Sequence, residues 1–173
     1  MPRLSTLHTG TVSIAAENLY TLSVDRQEHK TLILMQLLIP QVNTKDFPLT
    51  SQLLKIYLPS IFRSTCYNED NIPFDKEVAR TEVGHLFEHI LLEYLCILQL
   101  ENGMDEATYE GVTDWNWIVE PLGTFHITIH VKASELDILQ QALERTVTLM
   151  NVILTGDETM KAELPIPALT TRH

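Results

Sequence analysis

Cationic side chains are scarce in this chain: 12 Lys and Arg stand against 23 Asp and Glu in 173 residues, a formal net charge of −11. Nucleic acids and anionic membranes are held by Lys and Arg that displace counterions, so this balance argues against both and favours cationic or zwitterionic partners. Cysteine is nearly missing. Two thiols, Cys66 and Cys96, are too few for a disulfide framework and call for separate explanations. Long apolar runs are missing too, since the longest, "TLILMQLLIP", falls far short of the roughly 20 residues of a membrane span. It also lies inside the chain, where no signal peptide would be, so the expectation is a cytoplasmic protein. No internal repeat or low-complexity tract is present.

What remains is the composition of an ordinary globular protein, 45% hydrophobic and 20% charged. A chain of this length buries roughly two thirds of its unfolded surface without staples. One domain is expected over residues 1–158, with the Pro-bearing stretch 159–173 as a tail. "GTVSIAAENLYTLSV" reads as a strand or two, and "KTLILMQLLIP", after the charged turn "DRQEHK", as a more buried strand. Thr50 to Phe62 carries a helical apolar pattern with Thr50 or Ser51 as cap, ended or kinked at Pro59. Residues 63–77 read as a loop. Val78 to Glu101 has apolar residues at three- and four-residue steps, a helix closed by Asn102-Gly103. "WNWIVEP" and "TFHITIHV" alternate as a hairpin joined at "PLG", and Ser134 to Leu154 reads as a last helix between a Ser134 cap and Gly156. Hairpin spacing rather than βαβ spacing predicts an α+β fold, an antiparallel sheet with helices packed on one face.

Within the long helix lies "GHLFEHILLE". His85 and His89 are four apart, so their rings leave one helix face about 6 Å apart along the axis, close enough to share a metal ion. Glu88, one step from His89, reaches a metal-activated water without ligating. The order H-x-x-E-H is that of the inverted zinc hydrolases, in which the glutamate is the general base. Glu93, four beyond His89, is placed to orient that ring. Chance produces histidine pairs at this spacing often. Here the surrounding helix is apolar, and unsatisfied imidazoles and a carboxylate would be costly to bury there.

A catalytic zinc needs a third protein ligand and an open position. Cys66, in the loop leading into the helix, is one candidate, although a lone cysteine is more often a small buried hydrophobe. Cys96 takes that plain reading. Glu144, His126 and His130 are the other candidates, the two histidines sharing one strand face, where exposed, unliganded rings are the commoner outcome. Trp115 and Trp117 read as core before substrate platform. Asp105, Glu106, Glu110 and Asp114 read as a solvated rim that would favour guanidinium or ammonium groups if it lined a cleft.

Four stretches, "ENLYTLSVDRQEHKTLILMQL", "LPSIFRSTC", "RTEVGHLFEHILLEYLCILQLENGM" and "GTFHITIHV", occur in the order in which cyanophycin synthetases carry similar segments. The chain resembles the amino-terminal domain of that family standing alone, over roughly residues 10 to 155, and the helix segment is the most specific part. In some members that domain resembles a zinc metallopeptidase and cuts cyanophycin, a poly-aspartate bearing arginine. The resemblance implies Cys66, His85 and His89 as ligands of Zn²⁺ and Glu88 as catalytic residue. It thereby chooses among the third ligands. Two departures accompany it. No Lys or Arg occurs between Arg80 and Lys132, where the family has an arginine-bearing strand, and "YNEDNIPF" replaces its Gly-rich phenylalanine turn. The expected function is hydrolysis of amide bonds in peptides or cyanophycin-like polymer. The rival expectation is a non-catalytic polymer-binding or assembly module, with self-association left open, and a third is a metal site that only holds the fold together.

Overall fold

A computed structural model describes residues 12–16, 18–66, 72–157 and 159. The expected tail, apart from Thr159, lies outside the described residues. Among the described residues, five strands form one antiparallel sheet in the order β1-β2-β3-β5-β4, with helices packed on one face, the expected α+β architecture. The strands are β1 (Val12–Ala16), β2 (Tyr20–Arg26), β3 (Thr31–Leu37), β4 (Gly111–Asp114) and β5 (Thr124–Ile129). Alternation decides which face is covered. Tyr20, Leu22 and Val24 of β2 stand opposite Leu37, Met35 and Ile33 of β3, and all six are buried on the inner side.

The helices are α1 (Thr50–Tyr57), α2 (Phe74–Glu77), α3 (Val83–Glu101) and α4 (Leu136–Thr155). Among the described residues α3 alone is long and apolar enough to cross a membrane. Its apolar residues are spent instead on the sheet and on α4, with Leu86, Phe87, Ile90, Leu91 and Leu95 fully buried. Gly84 sets how closely it lies. A Cβ there would fall 2.3 Å from the Phe125 ring of β5, so only glycine lets the helix backbone rest on that ring.

Pro59 breaks the helix of residues 50–62 as expected, while three boundaries and one cap differ from the sequence expectation, each for a physical reason. The long helix begins at Val83 rather than Val78, because the chain before it pairs elsewhere. Thr44 N–H donates to Thr81 O at 2.8 Å, Thr81 N–H to Thr44 Oγ1 at 2.9 Å and Val83 N–H to Val42 O at 2.9 Å, which holds Glu82 extended. The expected loop 63–77 contains α2, seated by the buried Phe74. Residues 50–62 split at Pro59 into α1 and a 3-10 turn, Pro59–Arg63. Thr50 does not cap α1 through its side chain; its hydroxyl donates to Phe47 O at 2.6 Å. α4 begins at Leu136 after a 3-10 turn, Ala133–Glu135, so Ser134 is not its cap, whereas Gly156 closes it at φ 66° as expected.

"WNWIVEP" is not a strand. The strand of that hairpin is β4, which stops at Asp114. Asn116 ends the pairing by accepting the Ile118 N–H on its side chain at 3.2 Å and the Glu120 N–H on its carbonyl at 3.0 Å. Trp115 and Trp117 wrap the edge of Phe125, at ring separations of 5.9 and 5.5 Å, and Trp117 joins the margin of the core. Their alternation thus reflects packing on one buried ring rather than a ladder.

The Gly84 contact is testable by denaturant unfolding. Gly84→Ala is expected to destabilise the protein by about 1–3 kcal/mol, because the overpacking of Phe125 exceeds the helix-propensity gain of alanine.

Candidate metal centre

Successive helical residues turn by about 100° around the axis, so with Gly84 facing β5, Phe87 falls about 60° to one side and Glu88 about 40° to the other. Contacts fix the sense of rotation. The Phe87 ring meets Tyr20 of β2 at 6.4 Å, and the Glu88 carboxylate meets Thr113 of β4. His85 and His89 continue on the Glu88 side, at about 100° and 140°. Both rings therefore leave the flank of α3 that overhangs β4, the last strand of the sheet.

On that flank three donor atoms converge. His85 Nε2 lies 3.1 Å from His89 Nε2 and 3.4 Å from Cys66 Sγ, and the ligand atoms of all three residues lie within 4.8 Å of one another. A tetrahedral zinc, with bonds of about 2.05 Å to nitrogen and about 2.3 Å to sulfur, spaces its nitrogens about 3.3 Å apart and nitrogen from sulfur about 3.6 Å. The spacings of His85 from His89 and from Cys66 fit within a few tenths of an ångström. Cys66 is delivered by the 3-10 turn Pro59–Arg63, which is anchored by the fully buried Ile61.

The outer ring nitrogens support the same reading. Thr81 Oγ1 lies 2.8 Å from His85 Nδ1, with Glu77 Oε1 at 3.6 Å. Ser64 Oγ lies 3.5 Å from His89 Nδ1 and gives its own proton to Ile61 O at 2.5 Å, so toward the ring it can only accept. The Ser64 acceptor keeps the proton on His89 Nδ1 and leaves the Nε2 lone pair free to ligate, and Thr81 Oγ1 has the reach to hold His85 in the same way. Burial, reinforced by His85, pushes His89 down to about 3, and burial lowers His85 against the opposing charges of Glu77 and Glu82. Both rings are held neutral, the form that ligates. Phe74 stacks on His89 at 3.9 Å and meets His85 edge-on at 6.4 Å, which closes one side of the group.

Glu88 is 5% exposed on the same flank. Thr113 Oγ1 donates to its Oε2 at 2.5 Å, and at Gly111 a Cβ would fall 2.8 Å from Oε1, so the carboxylate occupies room that only glycine leaves. Burial pushes this carboxyl up to about 7, opposed by the Thr113 hydrogen bond and helped by Asp114.

The other sequence candidates lie elsewhere. Glu93 does not orient His89. It sits beside Cys96, whose thiol is pushed up to about 11 by burial first and by Glu93 second. On a helix the fourth residue on is close to its predecessor, but the two His89 ring nitrogens face Ser64 Oγ and His85 Nε2 instead. His126 and His130 are exposed on the uncovered sheet face, His126 paired with Glu120 at 2.7 Å beside a cleft of about 160 Å³. Glu144 is exposed on α4 and accepts from Gln140 at 3.3 Å. None of the three joins the donor group. Sequence reasoning missed Ser64, Phe74, Glu77, Thr81, Gly111 and Thr113, since none belongs to the H-x-x-E-H pattern. "GHLFEH" hints only at its own helix.

Comparison with protein-family models, with curated proteins and with solved structures gives no match. The chemistry of the site therefore rests on its residues.

Chelator-competition titration with zinc checks the ligand set. Cys66→Ala, His85→Ala and His89→Ala are each expected to abolish tight binding, and Thr81→Ala to weaken it by about 10–100-fold. Glu93→Gln and His126→Ala are expected to leave affinity unchanged.

Proposed function

We propose that this chain is a zinc-dependent amide hydrolase whose substrates are peptides or cyanophycin-like, arginine-bearing poly-aspartate. One observation carries the reading: a sulfur and two imidazole nitrogens within 4.8 Å of one another lie beside a buried carboxylate of the same helix. A thiolate with two imidazoles suits zinc, and three protein donors leave a position open.

When bound, the ion supplies Lewis acidity that makes water nucleophilic and polarises the scissile carbonyl. Cys66, His85 and His89 hold it. Glu88 takes the proton of the attacking water as the C–O bond forms, and returns that proton to the amine as the C–N bond breaks. Thr113 fixes one carboxylate oxygen and Gly111 leaves space at the other, so the base is aimed from β4. Nine acidic residues and no Lys or Arg lie between Thr81 and Val131, an environment suited to cationic substrate side chains.

A second reading draws on that same stretch. With no cation there to steady an oxyanion, the scaffold would serve as a polymer-binding or assembly module. Turnover separates the two. Glu88→Gln is expected to retain stoichiometric zinc and lose at least about 100-fold in cleavage rate, whereas His85→Ala loses both. Zinc-loaded wild-type protein that binds arginine-bearing poly-aspartate and releases no product over long incubation would establish the module instead. Gly111→Ala probes the aim of the base. Zinc affinity is expected to stay unchanged while turnover falls, because the new Cβ displaces the Glu88 carboxylate.

A further inference from the structure

β4 ends the sheet, and among the described residues no strand pairs with its outer side. Its hydrogen-bonding phase follows from one bond. His130 N–H donates to Glu110 O at 3.0 Å, so Glu110 and His130 form a bonded pair, and with the register Val112↔Thr128 and Asp114↔His126 the bonded pairs continue every second residue. The N–H and C=O groups of Gly111 and Thr113 must then point away from β5, toward the open edge. These two residues are also the ones whose inner faces touch Glu88. The rotation of α3 puts His85 and His89 on the flank above the same edge.

We infer that β4 is a docking edge for an extended peptide, which adds as a sixth strand by bonding to the backbone of Gly111 and Thr113 and so runs beneath the donor group and past Glu88. Natural edges that must stay unpaired are guarded by shortness, by charged side chains, by Pro or by a bulge; β4 has four residues and its charges are acidic, which repel an anionic strand and admit a cationic one. Residues 111–114, "GVTD", contain neither Lys nor Pro, and β4 pairs with β5 without a bulge. Alternation of side chains supplies the selectivity. Glu110, Val112 and Asp114 project on the outer face, where the exposed carboxylates of Glu110 and Asp114 meet every second side chain of the incoming strand. The occupant is therefore an extended chain with basic residues at alternate positions. Small side chains on its other face suit the half-buried side of the edge, because Gly111 brings no side chain of its own there.

This inference deepens the hydrolase reading, and its test is chosen so that the two fail separately. The probe is a nonapeptide alternating arginine and alanine, added to zinc-loaded Glu88→Gln protein so that cleavage does not consume it. Amide exchange followed by NMR is expected to slow at least about tenfold at Gly111 and Thr113 on saturation, and to stay unchanged at Val112 and Asp114, already bonded to β5. N-methylation of one alternate set of peptide amides is expected to abolish binding and methylation of the other set to leave it. Reversing charge with Glu110→Lys and Asp114→Lys is expected to weaken binding about tenfold. Equal effects of the two methylated peptides, or unchanged exchange at Gly111 and Thr113 on the wild-type background as well, would overturn the docking edge. Cleavage by wild-type protein without that protection sinks the edge and leaves the hydrolase. Protection without any cleavage by wild-type protein keeps the edge and removes the hydrolase.

Discussion

The rest of this fold depends on a close approach of backbone to ring. α3 rests directly on Phe125 because residue 84 has no side chain, and that contact sets both the depth and the roll of the helix. Once the roll is set, the fates of the neighbouring side chains follow from helical geometry. Phe87 turns toward β2, Glu88 toward β4, and the two histidines onto the overhanging flank. A side chain at 84 would lift or roll the helix, and each of these groups would miss its partner.

Burying titratable groups on such a helix is costly unless each finds a compensating contact. Here each does. Thr113 satisfies Glu88, Thr81 and Ser64 stand behind the histidines, and Cys66 faces them. The partners come from three separate parts of the chain, residues 64–66, Thr81 and Thr113, so their convergence is specific to this arrangement. The centre is built on the inner side of the sheet margin. The core thus shields one side of it, and the edge strand offers a route to the other.

The repeating elements were legible from local pattern. Alternation in β2 and β3, the three- and four-residue steps of α3 and the glycine after α4 each follow from one residue's relation to its near neighbours. Patterns with two physical causes misled. The spacing of Trp115 and Trp117 matches a strand, yet both rings pack around Phe125 in a turned connection. Likewise Val78 extends the apolar period of α3, but Thr81 to Val83 pair with Val42 to Thr44 instead of joining a helical turn before Val83.

By itself the sequence determined that His85, Glu88 and His89 share one turn of a buried helix, because four residues of α-helix always bring side chains to one face. The resemblance and the loop position proposed Cys66, but no local rule placed its sulfur 3.4 Å from His85. Only the tertiary structure decided that, along with the partners Ser64 and Thr113 and the edge position of β4. The reason is range. Contacts across 19 to 25 residues, as from Cys66 to His85 or Glu88 to Thr113, depend on how whole elements pack, and short-range periodicity carries no information about that.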